Sequence, residues 1–326
     1  MDKAIISYFS GTGNCKRTAQ ILGRFFKGKN YQTQIVNIST SNPKDFNPAK
    51  FNIFIFPVYF FSIPQIMKKY LRRLPPSPGT NASVIATFGA QDAEKAGDEG
   101  RSLVQARKIL TDKGFNVLYS DAVAYPSNFT QVVNVMPENV EEKVYEVSDL
   151  KVAQMAEKIL REEIYHKPCL KIKAFVISLF DWMFSIFGRV FMGKLYVADK
   201  KCNSCGICVK ECPAHTIKLI GGKPFWNYSC QACQRCINIC PEKAIETSFV
   251  RLIVFTSLFI AFVIKLIGAL VHGGLILAFS YLCIYVIFFA VLDFIIRQFE
   301  KVKFLSPLLT LSHTKKYRRY IAKELP

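Results

Sequence analysis

The chain has 326 residues, 43 Lys and Arg against 24 Asp and Glu, and a formal net charge of +19. The basic excess is spread over the chain, and residues 249–326 alone hold ten basic against three acidic side chains. Such a distribution suits an anionic membrane surface better than a nucleic-acid groove, and no nucleic-acid motif is present. Eight of the eleven cysteines fall in one compact motif, and Cys15, Cys169 and Cys283 have no evident partners, which argues against a disulfide framework.

Residues 1–165 alternate short apolar runs with helical stretches. Strands are expected over 4–9, 34–38, 52–59, 83–88 and 116–123, and helices over 15–26, 64–74 and 93–113. A last helix over 141–165 is expected to leave the sheet. This βαβ rhythm predicts an α/β doubly wound parallel sheet, which binds ligands at the carboxyl ends of its strands. No charged segment followed by a long apolar run opens the chain, so a cytosolic setting is expected for the soluble part.

The first strand end reads Ser10-Gly11-Thr12-Gly13-Asn14-Cys15 and opens a helix. Small residues there let backbone N–H groups and the helix N-terminus close around an anion, although a plain tight turn has the same composition. The string lacks the patterns of nucleoside triphosphatases and of dinucleotide folds. It resembles the FMN phosphate loop of flavodoxins, with one departure: Cys15 stands where that family usually has threonine. Two later strand ends resemble flavin loops, Pro57-Val58-Tyr59-Phe60 and Thr87-Phe88-Gly89. The resemblance implies FMN bound by these three loops, with Tyr59 or Phe60 stacked on the flavin or simply ending its strand in the core. The loop from Pro126 to Phe129 carries no assignable chemistry.

Residues 166–196 form an apolar, phenylalanine-rich stretch flanked by basic residues. A transmembrane span is rejected there, because it would separate two redox units. An amphipathic helix in the membrane interface is favoured over a helix packed between domains.

Residues 197–248 contain Cys202-x2-Cys205-x2-Cys208-x3-Cys212-Pro213 and, from Cys230, Cys230-x2-Cys233-x2-Cys236-x3-Cys240-Pro241. Paired zinc knuckles are the simpler use of many cysteines, but two four-cysteine runs each ending in Cys-Pro fit them poorly. The stretch resembles the bacterial two-cluster 4Fe–4S ferredoxins, in which the fourth ligand of each cluster comes from the other run. The resemblance assigns Cys202, Cys205, Cys208 and Cys240 to one [4Fe–4S] cluster. Cys230, Cys233, Cys236 and Cys212 go to the other. The domain order resembles a family of flavodoxin–ferredoxin fusion proteins found mostly in anaerobes.

Residues 249–297 hold two apolar runs, 252–271 and 275–292, separated by His272-Gly273-Gly274. Each is close to the length needed to cross a bilayer, and a transmembrane hairpin is expected. Basic residues near its two outer ends place both redox domains and both termini in the cytoplasm, with Lys265 snorkelling to the far side. Residues 298–326 then form a basic tail expected on the membrane surface. Removing 249–326 is expected to leave both cofactors bound.

The expected function is a membrane-anchored carrier passing electrons between FMN and two 4Fe–4S clusters. Its partners would be a soluble donor, such as a ferredoxin or reductase, and a membrane-associated acceptor, with lipid as a further contact. No acid–base constellation is identified. A flavin-dependent reductase of a quinone or small substrate is an alternative, and a redox sensor is another.

Overall fold

A computed structural model describes residues 2–90, 99–169, 188–302, 304–323 and 325. Most of the phenylalanine-rich stretch, residues 170–187, lies outside the described residues, as does the first part of the helix expected over 93–113.

Six parallel strands form the main sheet: β1 (Lys3–Tyr8), β2 (Gln32–Asn37), β3 (Phe51–Pro57), β4 (Asn81–Ala90), β5 (Asn116–Pro126) and β6 (Tyr165–His166). Their order is β2-β1-β3-β4-β5-β6. Helices α1 (Asn14–Gly28), α2 (Gln65–Arg73), α3 (Ser102–Thr111) and α4 (Glu138–Leu160) complete this doubly wound, flavodoxin-like unit. The central strands read as continuous apolar runs because helices bury both faces, and Ile53, Phe54, Ile55 and Phe56 have no exposed surface. The order reverses between β1 and β3, so the loops after these strands diverge and leave a crevice at their carboxyl ends. The last helix is shorter than expected and ends at Leu160, which frees Tyr165 and His166 to pair with Tyr119 and Ser120 as a sixth strand.

The second unit is small. A short helix, α5 (Arg189–Lys194), leads into β7 (Tyr196–Ala198), which pairs antiparallel with β10 (Ile245–Thr247). Between them lie α6 (Ile207–Lys210), the hairpin β8 (Ile217–Ile220) and β9 (Lys223–Trp226), and α7 (Arg235–Ile239). At the described end of the stretch expected to be interfacial, Met192 is buried with Leu195, Ala232 and Phe255.

Helices α8 (Phe249–His272) and α9 (Gly274–Lys301) then form an antiparallel pair. Both are long and apolar enough to cross a membrane, and little of either is buried inside the protein, unlike the core helix of a soluble domain. A helix of 24 residues rises about 36 Å, enough for the hydrocarbon layer.

The base of the hairpin is fixed by charge. The apolar run gives way at Asp293, which is 3% exposed on its side chain and receives Lys194 (3.0 Å), Arg251 (3.3 Å) and Arg297 (2.5 Å). The Tyr228 hydroxyl donates to the same carboxylate, and Arg251 also pairs with Glu300. A buried carboxylate is tolerated only when so compensated. Removing Asp293 would strand Lys194 and Arg297 and leave Arg251 with Glu300 alone, so Asp293→Ala is expected to cost several kcal/mol, where an exposed pair is worth under about 1 kcal/mol. A thermal-unfolding comparison with Lys323→Ala, whose pair with Glu142 is exposed, would show this.

The end of the basic tail packs into protein. After α10 (Ser306–Leu309) it crosses the iron–sulfur unit and ends inside the flavodoxin-like one. Arg319 pairs with Glu246, and Arg318 pairs with Glu141 at the start of α4. Tyr320 and Ala322 join the core cluster formed by Ala4, Cys15, Ala19 and Tyr145.

Candidate redox site

The eight motif cysteines surround two cavities. Cys202, Cys205, Cys208 and Cys240 line one, together with Ser204, Leu219 and Pro224. Cys212, Cys230, Cys233 and Cys236 line another, with Tyr196 and Trp226. Each cavity thus draws three thiols from one run and the fourth from the other. Among the described residues no three His, Cys, Asp or Glu side chains converge as a single metal ion requires. A donor set of four thiols spread around a space fits a cube of iron and sulfide better than one tetrahedral zinc.

The backbone that builds the cavities repeats every 28 residues. Positive φ angles occur at Ser204 and Ala232, at Gly206 and Gln234, and at His215 and Lys243. These left-handed residues turn main-chain N–H groups toward sulfur. Thr216 N donates to Cys212 Sγ (3.5 Å) and, 28 residues on, Ala244 N donates to Cys240 Sγ (3.4 Å). Ala232 N donates to Cys230 Sγ and Trp226 Nε1 to Cys236 Sγ, both at 3.4 Å. Such bonds stabilise thiolate charge and raise a cluster's potential. Burial acts the other way on the free thiols, pushing Cys230 up to about 11 and Cys233 to about 12, so metal loading must displace protons.

A third cavity opens where the sheet order reverses. Its walls are Ser10, Gly11, Thr12, Asn14, Cys15, Pro57, Val58, Tyr59, Thr87, Phe88, Gly89 and Asn128. The three expected loops therefore meet. Gly13 sits at the N-cap of α1 with φ 113°, and its N–H donates to Ser10 Oγ (3.0 Å). Cys15 turns inward, its thiol 3.0 Å from Thr87 Oγ1, and is pushed up to about 12 by burial. Phe60 leaves the cavity and packs edge-on against Phe129, toward the second unit. Asn128, which sequence reading left unassigned, closes the cavity from the loop after β5 and donates to Thr12 Oγ1.

The cavity fits the flavin that the resemblance implies. Its phosphate end is the N-terminus of a 15-residue helix entered through glycine. Tyr59 presents a buried hydroxyl with no hydrogen-bond partner among the described residues, a donor left over for a ligand. Burial holds this phenol well above its usual range, so it stays protonated.

The loop carrying Cys230 and Cys233 forms part of the cavity's surroundings. A Cβ on Gly11 would lie 2.2 Å from the Cys233 carbonyl oxygen and 3.0 Å from Tyr59 Oη. Arg235 donates to the carbonyls of Gly11 (3.2 Å) and Glu211 (2.9 Å). Buried amides complete the junction: Gln234 Nε2 donates to Gln131 Oε1 (2.8 Å), and Thr130 Oγ1 to Asn238 Oδ1 (2.9 Å).

Comparison with known families matches residues 201–245 to the 4Fe-4S dicluster domain. No curated protein matches the chain. Among solved structures, the chain is similar to a flavodoxin of Streptococcus pneumoniae TIGR4 at 17% identity and TM-score 0.36, over 49% of this chain and 99% of that one. It is also similar to a Fusobacterium nucleatum flavodoxin bound to flavin mononucleotide, at 14% identity and TM-score 0.36, over 50% of this chain and 99% of that one. A Megasphaera elsdenii flavodoxin matches at 19% identity and TM-score 0.30, over 47% and 98%. The chain thus joins a doubly wound parallel sheet to a 4Fe–4S dicluster domain and two candidate membrane spans, an architecture built for electron transfer.

Proposed function

We propose that the protein is a membrane-anchored electron carrier that moves electrons between FMN in the sheet-end cavity and two 4Fe–4S clusters. The observation that carries this reading is the meeting of Gly11 with the Cys233 carbonyl, which brings the Cys230–Cys236 loop against the flavin cavity. FMN exchanges electrons singly or in pairs and each cluster one at a time; the protein's part is to hold and orient them. Asn14 and the N-terminus of α1 would hold the phosphate, and Tyr59 would donate to the flavin from the wall shared with Cys233. Cys202, Cys205, Cys208 and Cys240 would ligate one cluster, and Cys212, Cys230, Cys233 and Cys236 the other. Residues 1–165, 197–248 and 249–297 would be the flavin, cluster and anchor units.

Anaerobic purification with flavin, iron and sulfide analysis tests the reading directly. Gly13→Val should weaken FMN binding at least about tenfold, because a β-branched residue is strained at φ 113°. Its Cβ would also meet Ala322 Cβ at 2.8 Å. Iron content should stay at the wild-type value. Retention of FMN at wild-type affinity would place the phosphate elsewhere.

The hairpin would place both redox units on the cytoplasmic side, with His272 on the far side. In intact cells, His272→Cys should react with a membrane-impermeant maleimide, while a cysteine at exposed Lys200 should react only after lysis. The reverse pattern would invert the topology.

A further inference from the structure

We propose that electrons enter or leave the protein at the Cys202/Cys205/Cys208/Cys240 end, and that the partner docking there is a small acidic one-electron carrier protein. The inference deepens the reading above and rests on it.

The two cysteine sets differ sharply in what surrounds them. Cys212, Cys230 and Cys236 are buried, and Cys233 packs against the core of the flavodoxin-like unit beside Val58 and Tyr59. A Cβ on Gly193 would lie 2.7 Å from Cys230 Cβ, so α5 closes a second side. Trp226 closes a third, its carbonyl accepting from Lys194 at the hairpin base. This set is walled in by the rest of the chain and is placed to serve the flavin cavity. The other set reaches solvent: Cys205 is exposed, and Cys202, Cys208 and Cys240 are half-buried. Tunnelling demands close approach, and among the described residues the thiols of this set are the more exposed of the two.

The surface around Cys205 has the composition of a docking site. Leu219 and Ile220, on the hairpin that covers this cavity, are 41% and 50% exposed. Lys200, Lys201, Lys210, Lys218 and Lys243, each within three residues of a cysteine of this set or of Leu219, are exposed. None of these five lysines has an ion-pair partner among the described residues; of the nearby acids, Glu211 is taken up by Arg235, and Glu242 on the cavity wall accepts from Asn203, so five free cations face one carboxylate. An apolar contact rimmed by unpaired cations selects a partner with carboxylates around its own redox edge and speeds its encounter at low salt. Anionic lipid would satisfy the lysines but not the exposed cluster edge, and the unit's own contacts with the hairpin base run through Tyr228 to Asp293 and through Phe225 under Arg297. In each encounter one electron crosses and no bond is made or broken. The carrier loses what the cluster gains, or the reverse.

The test uses the full chain in nanodiscs of neutral phosphatidylcholine, with an acidic two-cluster bacterial ferredoxin as the probe. Binding is followed by surface plasmon resonance at several salt concentrations, and contacts are mapped by carbodiimide cross-linking. The expected result is saturable, salt-weakened binding with cross-links at Lys201 and Lys218. Lys201→Glu combined with Lys218→Glu should weaken binding about tenfold or more. Leu219→Ser with Ile220→Ser should weaken it without changing its salt dependence. Iron, sulfide and flavin contents are measured on every variant. Wild-type protein that lacks clusters or flavin overturns the underlying reading and this inference together. Full cofactor content with no binding of the probe, or with binding unchanged in both double variants, overturns the docking surface alone. So does a charge-reversal variant that loses affinity only for phosphatidylglycerol vesicles.

Discussion

Cys212→Ala is expected to empty the cavity shared with Cys230, Cys233 and Cys236 and to spare the one formed by its own sequence neighbours. The reasoning is geometric. Cys212 follows Cys208 by four residues, yet it lines the second cavity, where its sulfur already accepts from Thr216 N. Loss of one thiolate leaves a cube with an open corner, and the protein holds its remaining ligands in left-handed turns that cannot be redrawn around three donors. Total iron should fall by about half, and one of two low-temperature EPR signals should vanish from the reduced protein. Cys240→Ala should remove the other signal. Because the emptied loop also abuts Gly11, Cys212→Ala should lower flavin affinity while Cys240→Ala should not. Loss of the same signal in both variants would refute the crossed arrangement. Near-zero iron with stoichiometric zinc in the wild type would remove the electron-transfer account altogether.

How far sequence reading reached depended on the separation of the interacting residues. The three closely spaced cysteines of each run were legible from spacing alone, whereas the exchange of Cys212 and Cys240 between the cavities was implied only by the resemblance to two-cluster ferredoxins. The parallel sheet was legible from apolar runs such as 52–59, where burial on both faces removes polar alternation. The same rule hid β6, since two residues at the end of a helix carry no period. Asp293 was missed as a hub because it lies just beyond the uncharged run that ends at Leu292. Its partners Lys194 and Arg251 belong to other elements. Asn128 sat in a loop without a pattern and acquires meaning only from Thr12, 116 residues away. The tail is the clearest case. Lys315-Lys316-Tyr317-Arg318-Arg319-Tyr320 has the composition of a membrane-surface segment, and nothing local says that its tyrosine is a core residue of the first domain.

Deleting the tail, residues 312–326, is therefore expected to damage the flavin site at the far end of the sequence. Tyr320 is 1% exposed. Its hydroxyl donates to Asn14 Oδ1 and meets the Tyr145 hydroxyl, both at 2.6 Å, while its N–H donates to Asn238 Oδ1 (2.8 Å). Two residues on, Ala322 N donates to the Thr12 carbonyl (2.8 Å), and the Lys323 carbonyl accepts from Arg17 (2.8 Å). The tail thus buttresses both Thr12 and Asn14, whose positions shape the anion end of the cavity. Truncating a buried aromatic costs about 3–5 kcal/mol, and stranding buried polar partners adds about 1–3 kcal/mol. Tyr320→Ala should accordingly destabilise the flavodoxin-like unit by several kcal/mol and release FMN, seen as a rise in flavin fluorescence at a lower temperature than in the wild type. Tyr320→Phe should show a smaller shift, and Ile321→Ala, at an exposed position, almost none. The same contacts reverse the expectation for removal of 249–326, which should now lose FMN rather than keep it. A gentler excision is available. The chain enters the hairpin next to where it leaves it, with Phe249 N donating to the Leu311 carbonyl (2.8 Å). Joining Ser248 to Ser312 through a short glycine linker would delete the hairpin and retain the tail. That variant should bind FMN where the 249–326 deletion does not. Equal flavin affinity in the two would show that the tail has no part in holding the phosphate loop.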